Sequence, residues 1–288
     1  MRKQLTKYQA LALTTSYWQP GENYKDKIIR ALESKIENGD FIVISEKAVA
    51  TATGNITDEN NVKASLTAKV LAGFWMRKVW GYPLGVLCGF GQRLLLRLRE
   101  YPLESGSRHK QVALDQGGFL QALMFGSEGG IDGSNLPYAY VSSPLKNAAM
   151  FARKIQTVIQ LRLGKNVCVV IADTDKTYRF RNFFFTPRPN PMKGIQSFGG
   201  VATFIVGRVF KFKKSSTPLA VEGCKLSTTE ALTVTNIADK ARGSGSGATV
   251  WDMAARFQVD VNGVSWDMLT KIKHKPIVIV RKHRSKKS

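Results

Sequence analysis

The chain is poor in the residues that metal-staple and disulfide scaffolds need. It has three cysteines, Cys88, Cys168 and Cys224, set far apart and with no CxxC pair, and only three histidines, none at ligand spacing. A structural zinc site is therefore not expected, and the cysteines read as buried reduced thiols of a cytosolic protein. Long apolar runs are also scarce. The longest uncharged stretch, 79–92, carries Pro83 and four glycines and is shorter than the roughly 20 residues a spanning helix requires. Met1–Gln19 lacks the apolar core of a signal peptide, so the expected location is the cytoplasm. Repeats of fixed period, RNA-recognition or helix-turn-helix signatures and Ser/His/Asp or Cys/His sets are missing too. Acid is under-represented, with 21 Asp+Glu against 43 Lys+Arg and a formal net charge of +22. Such a balance draws a chain to polyanions but says nothing about its fold.

What is present is a globular chain of 288 residues, 43% of them hydrophobic, with helix-then-strand units. Residues 25–38 place Ile28, Ile29, Leu32 and Ile36 on one helical face, Gly39 stops the helix, and 41–44 reads as a short buried strand. The pattern repeats: Ser143 and Pro144 open a helix whose apolar stripe runs to Gly164, and 167–172 (VCVVIA) is a buried central strand. That strand ends in Asp173-Thr174-Asp175, where α/β proteins place ligands. Between the units, 70–98 is basic and amphipathic, read as helices with wet arginines or as a surface for anionic lipid or nucleic acid. The glycine-dense stretch 117–135 brings Asp132 out of a turn. Residues 178–192 (YRFRNFFFTPRPNPM) suit stacking on a planar ligand or packing as an arm on a neighbouring subunit. Ser227 and Glu230 form a capping-box pair ahead of a helix. GSGSG at 243–247 lacks the Gly-Lys-Ser/Thr ending of a phosphate loop and reads as a flexible joint, and the tail from Arg281 reads as basic and mobile. His109 is either a surface residue or an acid–base group.

Asp132 and Asp173 are the carboxylates best placed for a hard cation, which takes one or two carboxylates beside substrate phosphates. Spacing alone equally allows turn-capping aspartates.

Five segments, in order, resemble the coenzyme F420-0:γ-glutamyl ligase family. NGDFIVISEKAVATATGN is similar to its N-terminal signature, and RHKQVAL followed by GGIDGSN to its histidine and aspartate motifs. VCVVIADTDKTYRFR resembles its central strand and turn, GIQSFGGVATFIVGRVF a later glycine-rich stretch, and KIKHKPIVIVR its closing strand. The resemblance implies a mixed α/β (α+β), two-lobed, dimeric, archaeal-type protein. One ligase-like domain would span 1–270, with the basic Trp/Arg-rich helical segment near 70–100, and the last strand and tail would occupy 271–288. It implies a GTP- and metal-dependent ligase adding L-glutamate in γ-linkage to F420-0 or a related carboxylate through an acyl phosphate, with Mn²⁺ or Mg²⁺ and K⁺. By motif position, Asp132, Asp173 and Thr174 would hold metal. Thr14, Thr15, Ser16, Tyr17, Glu46, Lys47 and Asn135 would contact the nucleotide, as would 270–275. The chain departs from the family pattern where Thr51 replaces a lysine and where the turn reads DTDKTYRFR. Altered acceptor specificity, or a non-catalytic protein whose basic surface binds nucleic acid, are the competing expectations.

Overall fold

The computed structural model describes residues 7–126 and 128–283. Its centre is a seven-stranded mixed sheet. The strands are β1 (Lys7–Thr15), β2 (Phe41–Ser45), β5 (Cys168–Phe180), β6 (Phe183–Thr186), β7 (Gln196–Ser197), β8 (Lys213–Glu222) and β9 (His274–His283). A separate pair joins β3 (Ile56–Asp58) and β4 (Tyr140–Ser142). The order is β1-β9-β2-β5-β6-β7, with β8 also pairing β5. The β2 and β5 strands are parallel, in register from Phe41↔Cys168 to Ser45↔Ala172. The final strand β9 lies between β1 and β2, antiparallel to both.

Period-two alternation divides the core. Ile42, Ile44, Val169, Ile171, Ile277 and Ile279 face the helices Tyr24–Leu32 and Ala148–Leu163. Phe41, Val43, Val170, Val278 and Val280 face the helix Thr228–Arg242 through Val234 and Ala238. Every one of these strands is buried on both sides, which is why they read as unbroken apolar runs. The basic segment is helical, as its periodicity suggests. Leu71–Leu84 is a π-helix, followed by Gln92–Arg99, and together they bury Met76, Trp80 and Leu98 in a core of their own. No helix among the described residues is long and apolar enough to cross a membrane.

Several local expectations change. The helix expected from Ser143 starts at Ala148, because Asn147, not Ser143, accepts the Met150 amide; Gly164 ends it in the left-handed conformation as expected. Ser227 does cap its helix by accepting the Glu230 amide, but the Glu230 carboxylate is taken by Tyr8 and Lys282 instead of closing a capping box. The tail residues 284–288 lie outside the described residues.

The reduced-thiol expectation fails for two of the three cysteines. Cys168 and Cys224 form a disulfide with Cα atoms 5.3 Å apart, whereas Cys88 is free and buried. Their 56-residue separation hides the pairing in sequence, and the antiparallel β5–β8 ladder creates it. We expect one thiol to react with an alkylating reagent in denaturant alone, and three after reduction. Reduction should lower stability by roughly 2–4 kcal/mol in a denaturant titration.

Candidate active site

Because β2 and β5 are parallel and in register, the end of β2 at Ser45 lies opposite Ala172, where the apolar part of β5 ends. The β5 strand does not stop at Asp173 as expected but runs on to Phe180, with an irregular register against β8. The helix Glu46–Ala52 starts where β2 stops, and Asp173-Thr174 follows the apolar part of β5 at the same edge. Asp132 approaches from the glycine-rich stretch, held in an isolated bridge to Ser142. One Asp132 oxygen accepts the Ser134 amide at 2.7 Å, and the other accepts from Lys47 Nζ. Lys47 also donates to Ser134 O and Oγ at 2.9 and 2.8 Å. Asp173 is held similarly, accepting from Thr174 N at 2.6 Å and from Arg188 Nε at 2.7 Å.

A cavity of about 490 Å³ opens over this edge, with Asp132, Asp173, Thr174, Lys47, Tyr17 and Asn135 in its lining. Its wall carries Lys47, Lys176, Lys240, Arg242, Lys273 and Lys275 against Asp132, Asp173 and Asp239. Six cations against three carboxylates make it an anion site. Asn135 organises one side. Its Oδ1 accepts from the Ser246 amide and hydroxyl at 2.7 and 2.6 Å, and its Nδ2 donates to the Gly247 carbonyl at 3.2 Å. The expected flexible joint at 243–247 is thus clamped to Asn135 and lines the cavity. Gly245, with φ +63°, lies so close to Asn135 that a Cβ would meet its side-chain oxygen at 2.5 Å. Tyr17 donates its hydroxyl to the Asn135 carbonyl, and His274 stacks on Tyr17 with centroids 4.5 Å apart. Burial lowers the His274 pKa to about 4, so this wall presents a neutral imidazole.

A second cavity of about 830 Å³ adjoins the first, and Asp132, Thr174, Lys176 and Ala248 line both. Its character differs: Tyr101, Phe125, Tyr140, Tyr178, Phe204 and Trp251 supply aromatic surface. His109 also lines it, neither a surface residue nor a free acid–base group. Its two ring nitrogens lie 2.6 Å from Glu59 and 3.0 Å from Glu128, and Lys110, fully buried, donates to Glu128 at 2.6 Å. Burial alone would lower the His109 pKa, but Glu59 and Glu128 outweigh it and raise it to about 10. Burial would likewise raise Glu128, yet Lys110 and His109 bring it down to about 2. A histidine raised above its ordinary value stabilises the fold fully below pH 6.5, and loses that contribution as pH climbs to about 10. Glu128 stabilises above its ordinary value of 4.5, and loses that contribution as pH falls to about 2. The urea midpoint is expected to decline between pH 7 and 10, and His109→Gln should flatten that decline.

Four sequence-derived positions fall elsewhere. Thr14, Thr15 and Ser16 are not among the residues lining either cavity; β1 carries the threonines past it, and only Tyr17 turns in. Glu46 is 3% exposed and lies beneath the floor, accepting both Arg188 Nη2 contacts at 2.7 Å and the Leu145 amide at 2.8 Å. It is not among the residues lining either cavity. Thr51, where the family pattern has lysine, lines the first cavity and donates to the Lys47 carbonyl at 2.8 Å.

Arg188 is the residue sequence reasoning missed. It is 2% exposed and binds Asp173, Glu46 and the Gly129 carbonyl. Burial works against its charge, but Glu46 and Asp173 hold its pKa above the ordinary value. Burial also pushes the Glu46 carboxyl upward. Arg188 itself stays charged, since a guanidinium does not surrender its proton. Gly130, with φ +102°, leaves room for the guanidinium that any Cβ would strike. An arginine inside TPRPNP carries no sequence signal that separates it from a surface residue.

Among the described residues no three or more His, Cys, Asp or Glu side chains gather as a metal site. The donor set at the cavity edge is two carboxylates and the Thr174 hydroxyl. Each carboxylate oxygen accepts one protein hydrogen bond and keeps a lone pair, which fits a hard cation sharing its shell with phosphate oxygens.

An uncharacterized protein of Methanocaldococcus jannaschii, MJ1361, is 34% identical over 285 residues, covering 95% of this chain and 96% of its own length. A family model described as F420-0:Gamma-glutamyl ligase matches residues 12–248. That span runs from the end of β1 through the carboxylate edge to the loop clamped on Asn135, and on it the chain belongs to the F420-0:γ-glutamyl ligase family.

Proposed function

We propose that the protein is a GTP- and divalent-metal-dependent ligase that joins L-glutamate in γ-linkage to F420-0 or a related carboxylate through an acyl phosphate. One observation carries this reading: a cation-lined cavity and an aromatic-lined cavity meet at Asp132, Thr174 and Lys176. The triphosphate occupies the first, where Lys47, Lys176, Arg242 and Lys273 offset its charge. The base lies towards the neutral Tyr17–His274 stack. The acceptor's planar body occupies the second, with its carboxylate at the shared wall.

There the carboxylate oxygen attacks the γ-phosphorus and the nucleoside diphosphate leaves. The amine of glutamate then attacks the acyl carbon, expelling phosphate and giving up a proton. Lys176, between the cavities, is placed to offset charge on the oxygens in flight. Asp132, Asp173 and Thr174 would hold Mn²⁺ or Mg²⁺, which supplies charge neutralisation beside the phosphates. The protein acts as a homodimer in the cytoplasm; K⁺ assists nucleotide binding.

The test is incubation with GTP, Mn²⁺, L-glutamate and F420-0, read by mass spectrometry. A glutamyl adduct with matching GDP and phosphate is expected. No adduct, together with no nucleotide-induced thermal shift, removes the reading. An adduct only with another acceptor carboxylate would identify altered specificity.

A further inference from the structure

Residues 176–221 contain no aspartate or glutamate and nine lysines and arginines. Lys176 and Arg188 belong to the active site, where they pair with Asp239 and Asp173, but the rest of the stretch builds a surface of another kind. At the β5–β6 hairpin and the start of β8, phenylalanine rings join in edge-to-face, tilted and stacked pairs. Phe198 meets Phe183 at 6.5 Å and Phe185 at 6.2 Å, Phe185 meets Phe212 at 5.7 Å, and Phe212 meets Phe180 at 5.4 Å and Phe210 at 5.8 Å. A core cluster would be covered. Here Phe180, Phe183, Phe198 and Phe210 are 50%, 47%, 53% and 67% exposed.

Cations interleave with the rings. Arg181 lies 5.5 Å over Phe180 and Arg179 lies 5.4 Å over Phe184, while Lys211, Lys213 and Lys214 alternate with Phe210 and Phe212. Arg179 sits directly across the β5–β8 ladder from Lys213. Like charges placed opposite each other destabilise a sheet. Burial lowers the Lys214 pKa, and the neighbouring Arg208 and Lys176 lower it further.

We infer that this phenylalanine-and-cation face is a binding surface for single-stranded nucleic acid. Exposed rings offer stacking platforms for bases of any sequence, and interleaved Lys and Arg take the phosphates. Charge complementarity excludes the main rivals. A second copy meeting this face isologously would press Arg181, Lys211, Lys213 and Lys214 against themselves with no carboxylate from the stretch between them. A bilayer separates apolar depth from phosphate depth, whereas here a guanidinium lies on a ring and both present at one level. The inference does not depend on the ligase reading.

The experiment is fluorescence anisotropy of the full chain with a labelled oligothymidylate of about 16 nucleotides. With four exposed cations engaged, log Kd should change with log salt at a slope of roughly 3 in magnitude. Phe183→Ala and Phe210→Ala, both at half-exposed positions, should each weaken binding about 10-fold while leaving the melting temperature unchanged. K211E/K213E should weaken binding and flatten the salt slope. Three results overturn the inference: binding that ignores the phenylalanines and treats duplex and single strand alike; binding instead to phosphatidylserine vesicles; or phenylalanine variants that turn a dimer into monomer while wild type ignores the oligonucleotide. Ligase activity unchanged in these variants is expected throughout.

Discussion

Asp132→Asn and Asp173→Asn should each lower metal-dependent turnover by about 10²–10³-fold or more, the usual cost of removing one preorganised charge-stabilising group. Both substitutions keep shape and remove only charge. Asp132 would still accept the Ser134 amide through its remaining oxygen but would no longer balance Lys47. Asp173 would still take one bond from Arg188, whose charge Glu46 continues to neutralise. Melting temperatures should therefore move little, which separates loss of chemistry from loss of fold. Mn²⁺ titration by electron paramagnetic resonance in the presence of nucleotide gives a second readout, and affinity should fall in both variants. Full turnover in either would refute its assignment.

Arg188→Met should be the most destabilising single substitution at the site. It leaves Glu46, 3% exposed, as a buried carboxylate with only the Leu145 amide for support. Removing one partner of a buried ion pair costs about 3–5 kcal/mol, because the other charge stays buried and unpaired. The double variant Arg188→Met/Glu46→Gln should recover part of that loss in urea titration, since an amide is cheaper to bury than an ion. Activity should not return with stability, because Asp173 would still lack the guanidinium that fixes its rotamer. Equal urea midpoints for single and double variants would show that the Glu46 charge is not the source of the cost.

Much of the sheet was legible from sequence. FIVIS, VCVVIA and PIVIV are apolar on both faces, so burial in a central sheet follows from composition alone, and carboxylates just past an apolar strand mark its ligand edge. The ordered motifs pointed to the family, and Asp132, Asp173, Thr174, Lys47, Tyr17 and Asn135 do converge on one cavity. The readings that failed share one cause. Glu46 and Lys47 are adjacent and both charged, yet a helix start turns one into the floor and the other into the cavity. GSGSG looks unconstrained until Asn135, more than a hundred residues away, is seen to bond its backbone.

The sequence by itself determined the three apolar strands β2, β5 and β9, the main helices that cover them, the excess of positive charge and the membership of a ligase family, since these depend on local pattern and on motif order. Only the tertiary structure decided which charges are partners. The Arg188–Glu46 and Arg188–Asp173 pairs, the Cys168–Cys224 bond, the His109 sandwich and the exposed phenylalanine cluster all join residues that are distant in sequence and meet only in the packed fold. A side chain's burial and its neighbour's charge set its chemistry, and both are properties of the packed molecule.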